Sequence, residues 1–147
     1  MEVSWKSFFF TILQFLATLL LFLTGPWFSQ KLFLNLIMIL GLGLWLWSFV
    51  IMLRQKSYGL FPEVGHQSAL VTSGPYRFIR HPIYSGMLLL ALGFILNYLN
   101  YFRAFLFLLL LISSLLKLNF EEKILAKHFD EYPNYQKKTK RLIPFIY

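Results

Sequence analysis

The sequence has no cysteine, and only six of its 147 residues are acidic. The first absence excludes disulfides, thiolate metal sites and a cysteine nucleophile. The second leaves few carboxylates for any polar chemistry, so a place where two of them meet stands out. The three histidines, His66, His81 and His128, lack metal-ligand spacing, and no metal is expected. There is no internal repeat and no low-complexity tract.

Apolar residues make up 58% of the chain and aromatic residues 20%. A soluble core of this size could not hide so much apolar surface, so lipid must solvate part of it. The formal net charge is +8 at pH 7. That charge tracks the loops between apolar runs, and no nucleic-acid partner is expected.

Four apolar segments follow one another. The first runs from Phe8 to Thr24, interrupted by Gln14 and two threonines, and stops at Gly25-Pro26. Gly25-Pro26-Trp27 offers no small-x-small cleavage site, so the segment reads as a retained helix. The second, Leu32 to Leu53, would reach about 33 Å as a helix, enough to span. The third starts at Pro82, suited to the first turn of a helix, and ends at Leu99. The fourth runs from Phe102 to Leu118. Asn97 and Asn100 sit between the last two with Tyr98 and Tyr101, a polar turn with interfacial aromatics. For these shorter segments, a compact hairpin in a locally thinned bilayer is the alternative to two upright spans.

With a cytoplasmic N-terminus, twelve basic residues fall inside and two, Lys31 and Arg103, outside. This asymmetry obeys the positive-inside rule and puts both termini in the cytoplasm. The expectation is an all-α integral membrane protein with four spanning helices and one domain over residues 1–147, in the inner membrane if the source is bacterial. Residues 1–53 supply two N-terminal spans, and 54–147 carry the chemistry. Gly41-Leu42-Gly43, in the middle of the second span, reads as a close helix-packing site.

Both polar segments, 54–81 and 119–147, lie on the cytoplasmic side. The first is long and rich in turn signals, the mark of a functional loop. The second begins with an amphipathic helix from Glu121 to Phe129 and ends in the apolar, aromatic Leu142–Tyr147. Two clusters concentrate the chemistry. Arg77, Arg80, His81, Tyr76 and Tyr84 crowd the start of the third span. Arg77 alone reads as an interfacial anchor. His81 opens a helix N-terminus, a place suited to anionic groups. The second cluster is Glu121-Glu122, with Lys117 one turn earlier on the face of Glu121. Carboxylates and a cation at a membrane boundary mark a functional-site candidate.

Leu70-Val71-Thr72-Ser73-Gly74-Pro75-Tyr76, Arg80-His81-Pro82-x-Tyr84-x-Gly86, Glu121-Glu122, Phe129…Tyr132-x-x-Tyr135 and Ile143-Pro144-Phe145-Ile146 follow in order. This succession, from Ser68 to Tyr147, resembles the isoprenylcysteine carboxyl methyltransferase family, which has relatives among phospholipid methyltransferases. The resemblance implies an integral membrane enzyme that uses S-adenosylmethionine. It implies a cytoplasmic cofactor pocket between the 54–81 loop and the C-terminal segment, lined by Ser68, Ala69, Leu70, Val71, Tyr76, His81, Pro82, Ile83, Tyr84 and Glu121. It further implies catalytic roles for Lys117, Glu121 and Glu122. Lys117 stands where the family usually carries a substrate-contacting arginine, so bidentate carboxylate recognition is lost. No G-x-G-x-x-G follows a strand, which excludes a soluble Rossmann methyltransferase.

The resulting expectation is O-methylation of a carboxylate on a lipophilic, isoprenylcysteine-like acceptor that arrives sideways from the bilayer. Methylation of a phospholipid amine is the enzymatic alternative. A small membrane scaffold whose basic loops bind anionic lipid is the non-enzymatic one.

Overall fold

The apolar runs fold as helices, since none of them carries an internal proline that would remove a ladder hydrogen bond. In a computed structural model, which describes residues 5–55 and 69–147, they form four helices. These are α1 (Trp5–Leu23), α2 (Leu32–Arg54), α3 (Pro82–Asn97) and α4 (Tyr101–His128). A 3₁₀ turn, Gly74–Arg77, precedes α3, and a short helix, α5 (Tyr132–Lys138), follows α4. Gly74 starts that turn at a φ of +59°, in the left-handed region where a side chain would be strained.

Consecutive long helices run in opposite directions. At one end, Asn97 Nδ2 on α3 donates to Pro26 O in the α1–α2 connection at 3.0 Å. At the other, Lys117 on α4 meets Thr11 near the start of α1, and Gln55 at the end of α2 meets Ser73 beside the 3₁₀ turn. α2 lies along α3, and α1 lies along α4. Ala17 and Leu21 of α1, Ala91 of α3, and Leu106 and Leu110 of α4 close the centre.

The α2–α3 contact is backbone on backbone. A Cβ added at Gly86 would lie 2.5 Å from Trp45 N, and one at Gly41 would lie 2.5 Å from Leu90 N. Only glycine permits this approach. Gly43 has open space around it, so Gly41 alone of the Gly41-Leu42-Gly43 trio makes the contact.

α2 and α4 are each long and apolar enough to cross a membrane, whereas α1 and α3 are shorter. Trp5, Phe9, Phe15, Leu36, Ile39 and Trp47 are among many large apolar side chains left exposed on the outer faces of α1 and α2. Exposure on this scale suits contact with lipid.

Three features differ from the sequence expectation. The fourth span and the amphipathic helix are one continuous 28-residue helix. No glycine or proline interrupts Leu118-Asn119-Phe120, so the helix carries on. At 1.5 Å per residue it reaches about 42 Å, beyond a hydrocarbon core of about 30 Å. Second, α5 was not foreseen; Pro133 sits in its first turn, where a missing N–H does no harm.

Third, Arg103 is no exposed loop charge. It is fully buried, and its guanidinium donates to Leu21 O at 2.8 Å and Phe94 O at 2.7 Å. Those carbonyls belong to the C-terminal ends of α1 and α3, where the negative end of the helix dipole favours a cation; Phe94 O also accepts from Tyr98 N. Thr24 Oγ1 accepts a further bond at 3.1 Å. Arg103 is thus a shared cap for two helices.

Candidate functional site

The site forms at the opposite end, where the N-terminus of α3 meets the far part of α4. Pro82 fixes the first turn of α3, and His81 stands before it as the N-cap residue. A short parallel pairing holds this segment to the tail. Lys140 N donates to Phe78 O, Arg80 N to Lys140 O at 2.7 Å, and His81 N to Arg141 O at 3.0 Å. Ser85 Oγ adds a bond to Leu142 O at 2.6 Å. Tyr84, Leu118 and Leu142 pack together beneath.

Adjacent residues on a helix point about 100° apart, and the buried His81 ring lies between the adjacent glutamates. Its Nε2 is 3.3 Å from Glu122 Oε1, and its Nδ1 is 3.6 Å from Glu121 Oε2. The two carboxylates then part company in their surroundings.

Glu122 is buried and saturated. Oε1 accepts from Arg80 Nε at 2.7 Å, and Oε2 faces Arg141 Nη2 at 3.0 Å. Arg80 also donates through Nη1 to Thr139 O at 2.6 Å and Gln136 O at 3.3 Å. Glu122 therefore ties α4 to the segment before α3 and to the tail. Two guanidinium partners offset the desolvation that burial imposes on a carboxylate.

Glu121 is less enclosed. Its Oε1 accepts from Tyr84 Oη at 2.6 Å and lies 3.7 Å from Lys117 Nζ. Lys117 is itself buried, donates to Thr11 Oγ1 at 2.7 Å and sits 5.6 Å over the Tyr84 ring. Thr11 gives its own proton to Ser7 O at 2.8 Å, which leaves its lone pairs facing the ammonium. Gln14, a turn further on, donates to Ser114 Oγ at 3.1 Å. Ser7, Thr11 and Gln14 thus form a polar stripe on an apolar helix, aimed at α4.

Three phenols complete the cluster. Tyr135 Oη donates to Tyr76 O at 2.6 Å. Burial pushes the Tyr76 phenol well above its ordinary range, with Tyr135 and the Glu121 charge adding to it. Burial does the same for Tyr132 and Tyr135. All three remain protonated at any physiological pH. The Tyr132 hydroxyl is buried with no hydrogen-bond partner among the described residues, a free polar group within range of the Glu122 charge.

Of the residues singled out by sequence, Tyr76, His81, Tyr84, Lys117, Glu121 and Glu122 converge here. Pro82 is buried beneath them and Ile83 half-buried. Val71 is buried, Leu70 half-buried and Ala69 exposed in the stretch leading to the 3₁₀ turn. Ser68 lies outside the described residues. Sequence reading assigned no role to Arg80, Arg141, Thr11, Ser85 or Thr139. The 4- and 3-residue spacing of Ser7, Thr11 and Gln14 was the available signal for the α1 stripe. Arg80 stood in the Arg80-His81-Pro82-x-Tyr84 succession, whereas Arg141 carried no signal beyond its charge.

The model of the phospholipid methyltransferase family matches residues 13–132 of this chain. The match takes in most of α1, all of α2, α3 and α4, and the site residues from Tyr76 to Glu122; Thr11, Tyr135, Thr139 and Arg141 lie outside it. No curated protein and no solved structure matches the chain.

Proposed function

The chain belongs to the phospholipid methyltransferase family, and from that premise we propose that it transfers the methyl group of S-adenosylmethionine to the head of a lipophilic acceptor. The observation that carries this reading is the pair of unlike carboxylates: Glu122 locked by the Arg80 and Arg141 guanidiniums with His81 beside it, and Glu121 less enclosed next to Tyr84 and His81. The donor set fits the cofactor. Glu121 would hold its amino group, and the first free N–H groups of α3 its carboxylate. Tyr76 and Tyr84 offer ring faces to a sulfonium or an adenine. When bound, the cofactor supplies an electrophilic methyl group. Everything else falls to positioning and exclusion of water.

The site end faces the cytoplasm in this reading. Of the described basic residues, only Lys31 and the internal Arg103 lie at the other end of the bundle. Four crossings, a pocket shared by the 54–81 loop and the tail, and chemistry confined to residues 54–147 complete the picture. Thr11 adds one qualification, because α1 reaches into the site to hold Lys117.

For the acceptor, the geometry favours an ionised carboxylate. Such a group has no proton to lose, so no site residue need act as a base. Lys117, buried at the α1–α4 face, offers the cation that an acidic head would meet. The family match favours a second acceptor, the amine of a phospholipid such as phosphatidylethanolamine. In that case Glu121 is the group placed to take the proton.

The acceptors separate by product chemistry. The purified chain with methyl-labelled S-adenosylmethionine is expected to label a prenylcysteine carboxylate as an ester that releases methanol in base. Lys117→Met should lower that labelling about 10- to 100-fold, the loss of one charge-assisted contact. Base-stable label on phosphatidylethanolamine would select the amine reading. No label on either acceptor would leave the lipid-binding scaffold.

A further inference from the structure

Behind the Arg80 side of the Glu121–Glu122 cluster, the end of the 3₁₀ turn, the end of α5 and the tail enclose an open groove of about 180 Å³. Arg77, Lys137, Lys138 and Lys140 contribute to its walls, and no carboxylate does. All four are exposed, unlike Arg80 and Arg141, whose charge is taken up by Glu122. The groove therefore holds four positive charges with no ion pair among the described residues.

Its rim is apolar. Phe78 is 54% exposed and Phe145 86%, and Ile146 beside them is 75% exposed. Phe145 is held there at a φ of +66°, a strained conformation for a phenylalanine. The tail turn fixes it, with Leu142 N and Ile143 N both donating to Tyr147 O at 2.8 Å. The groove also has a defined height. Arg77 and Phe78 lie only a few residues before Pro82, where the apolar helix α3 begins. Cations and exposed aromatics at that level match the headgroup region of a bilayer.

We propose that this groove docks the phosphate-bearing headgroup of an anionic phospholipid, the four cations meeting the phosphate while Phe78, Phe145 and Ile146 dip into the glycerol and upper acyl region. A soluble acidic partner would satisfy the cations and leave the aromatic rim in water, whereas a lipid satisfies both. The inference rests on the chain's residence in a membrane and not on methyl transfer, so a binding measurement tests it separately.

The test is a thermal-unfolding titration of the whole chain in zwitterionic detergent, with short-chain phosphatidylglycerol, short-chain phosphatidylcholine or inorganic phosphate. A ligand that binds only the folded state raises the unfolding temperature with concentration. Phosphatidylglycerol should act at a concentration at least tenfold below phosphatidylcholine. Lys137→Gln with Lys138→Gln should weaken its action about thirtyfold, the effect of two basic side chains near an anionic surface. These side chains are exposed, so the variant should fold normally. Lys123→Gln with Lys127→Gln, on the exposed side of α4 outside the groove, should leave the response intact. Equal responses from the groove variant and the parent would overturn the proposal. So would inorganic phosphate acting at the same concentration as the lipid, which would assign the groove to a free anion.

Discussion

Glu122→Ala is expected to lower stability by about 3–5 kcal/mol, the usual consequence of removing one member of a buried charge cluster. Arg80 and His81 are nearly buried, and Arg141 is about one-third exposed. Without Glu122 the first two are left charged or polar in a site that has lost its anion, whereas Arg141 can turn outward. In a chain of this length such a loss moves the unfolding midpoint on the order of 10 °C. The same change should free the tail, because Arg80 also grips Thr139 O and Gln136 O. Limited proteolysis beyond His128 should therefore speed up at temperatures where the bundle is still folded. A variant with the parent's melting curve and cleavage rate would show that Glu122 does not tie the site together. Arg141→Gln makes an internal comparison: its partly exposed pair should contribute about 1 kcal/mol or less.

The second large effect lies at the crossing of α2 and α3. Gly41→Ala and Gly86→Ala each drive a methyl group into backbone atoms 2.5 Å away, and backbone cannot swing aside as a side chain can. The helices must part, at a cost of about 1–3 kcal/mol for alanine and more for leucine. α3 carries His81, Pro82 and Tyr84 at its start, so its displacement should also lower cofactor affinity. Gly43→Ala faces open space and should be neutral or slightly stabilising, since alanine is the better helix former by about 1 kcal/mol. Unfolding curves of the three variants side by side would decide the point. Equal effects at Gly41 and Gly43 would contradict the close crossing.

The limits of sequence reading show in particular residues. The helices of the bundle were legible because unbroken apolar runs bounded by Gly25-Pro26 and Pro82 leave little choice of local structure. The end of α4 was misjudged because polarity changes at Asn119 while helical geometry does not. A change of solvent is not a change of backbone. Arg103 was counted as a loop charge because its acceptors, Leu21 O and Phe94 O, are backbone atoms distant in sequence, and no side-chain pattern marks them. The close crossing was half legible: Gly41 and Gly86 were both noted, but nothing in the sequence pairs them across two helices.

At the site, the individual polar residues were visible and their division of labour was not. Glu121 and Glu122 are chemically identical in sequence. Only the fold turns one toward Arg80 and Arg141 and the other toward Tyr84 and Lys117. The tail shows the same thing. Its contact with Phe78, Arg80 and His81 runs through main-chain groups, which any residue supplies. Thr11 was recorded as an interruption in an apolar run; its partner Lys117 gives that interruption its meaning.

The central claim is that Glu121, set beside His81 and Tyr84 and backed by the locked Glu122, forms the cofactor-holding carboxylate of a membrane methyltransferase. Isothermal titration of S-adenosylmethionine into the whole chain and into Glu121→Gln, with the melting curves of both proteins recorded alongside, tests it most directly. The account predicts that the parent binds, and that Glu121→Gln melts like the parent but binds about 10- to 100-fold more weakly, the loss of one charge-assisted hydrogen bond. Undiminished binding by a folded Glu121→Gln protein, or no binding by the parent, would contradict it.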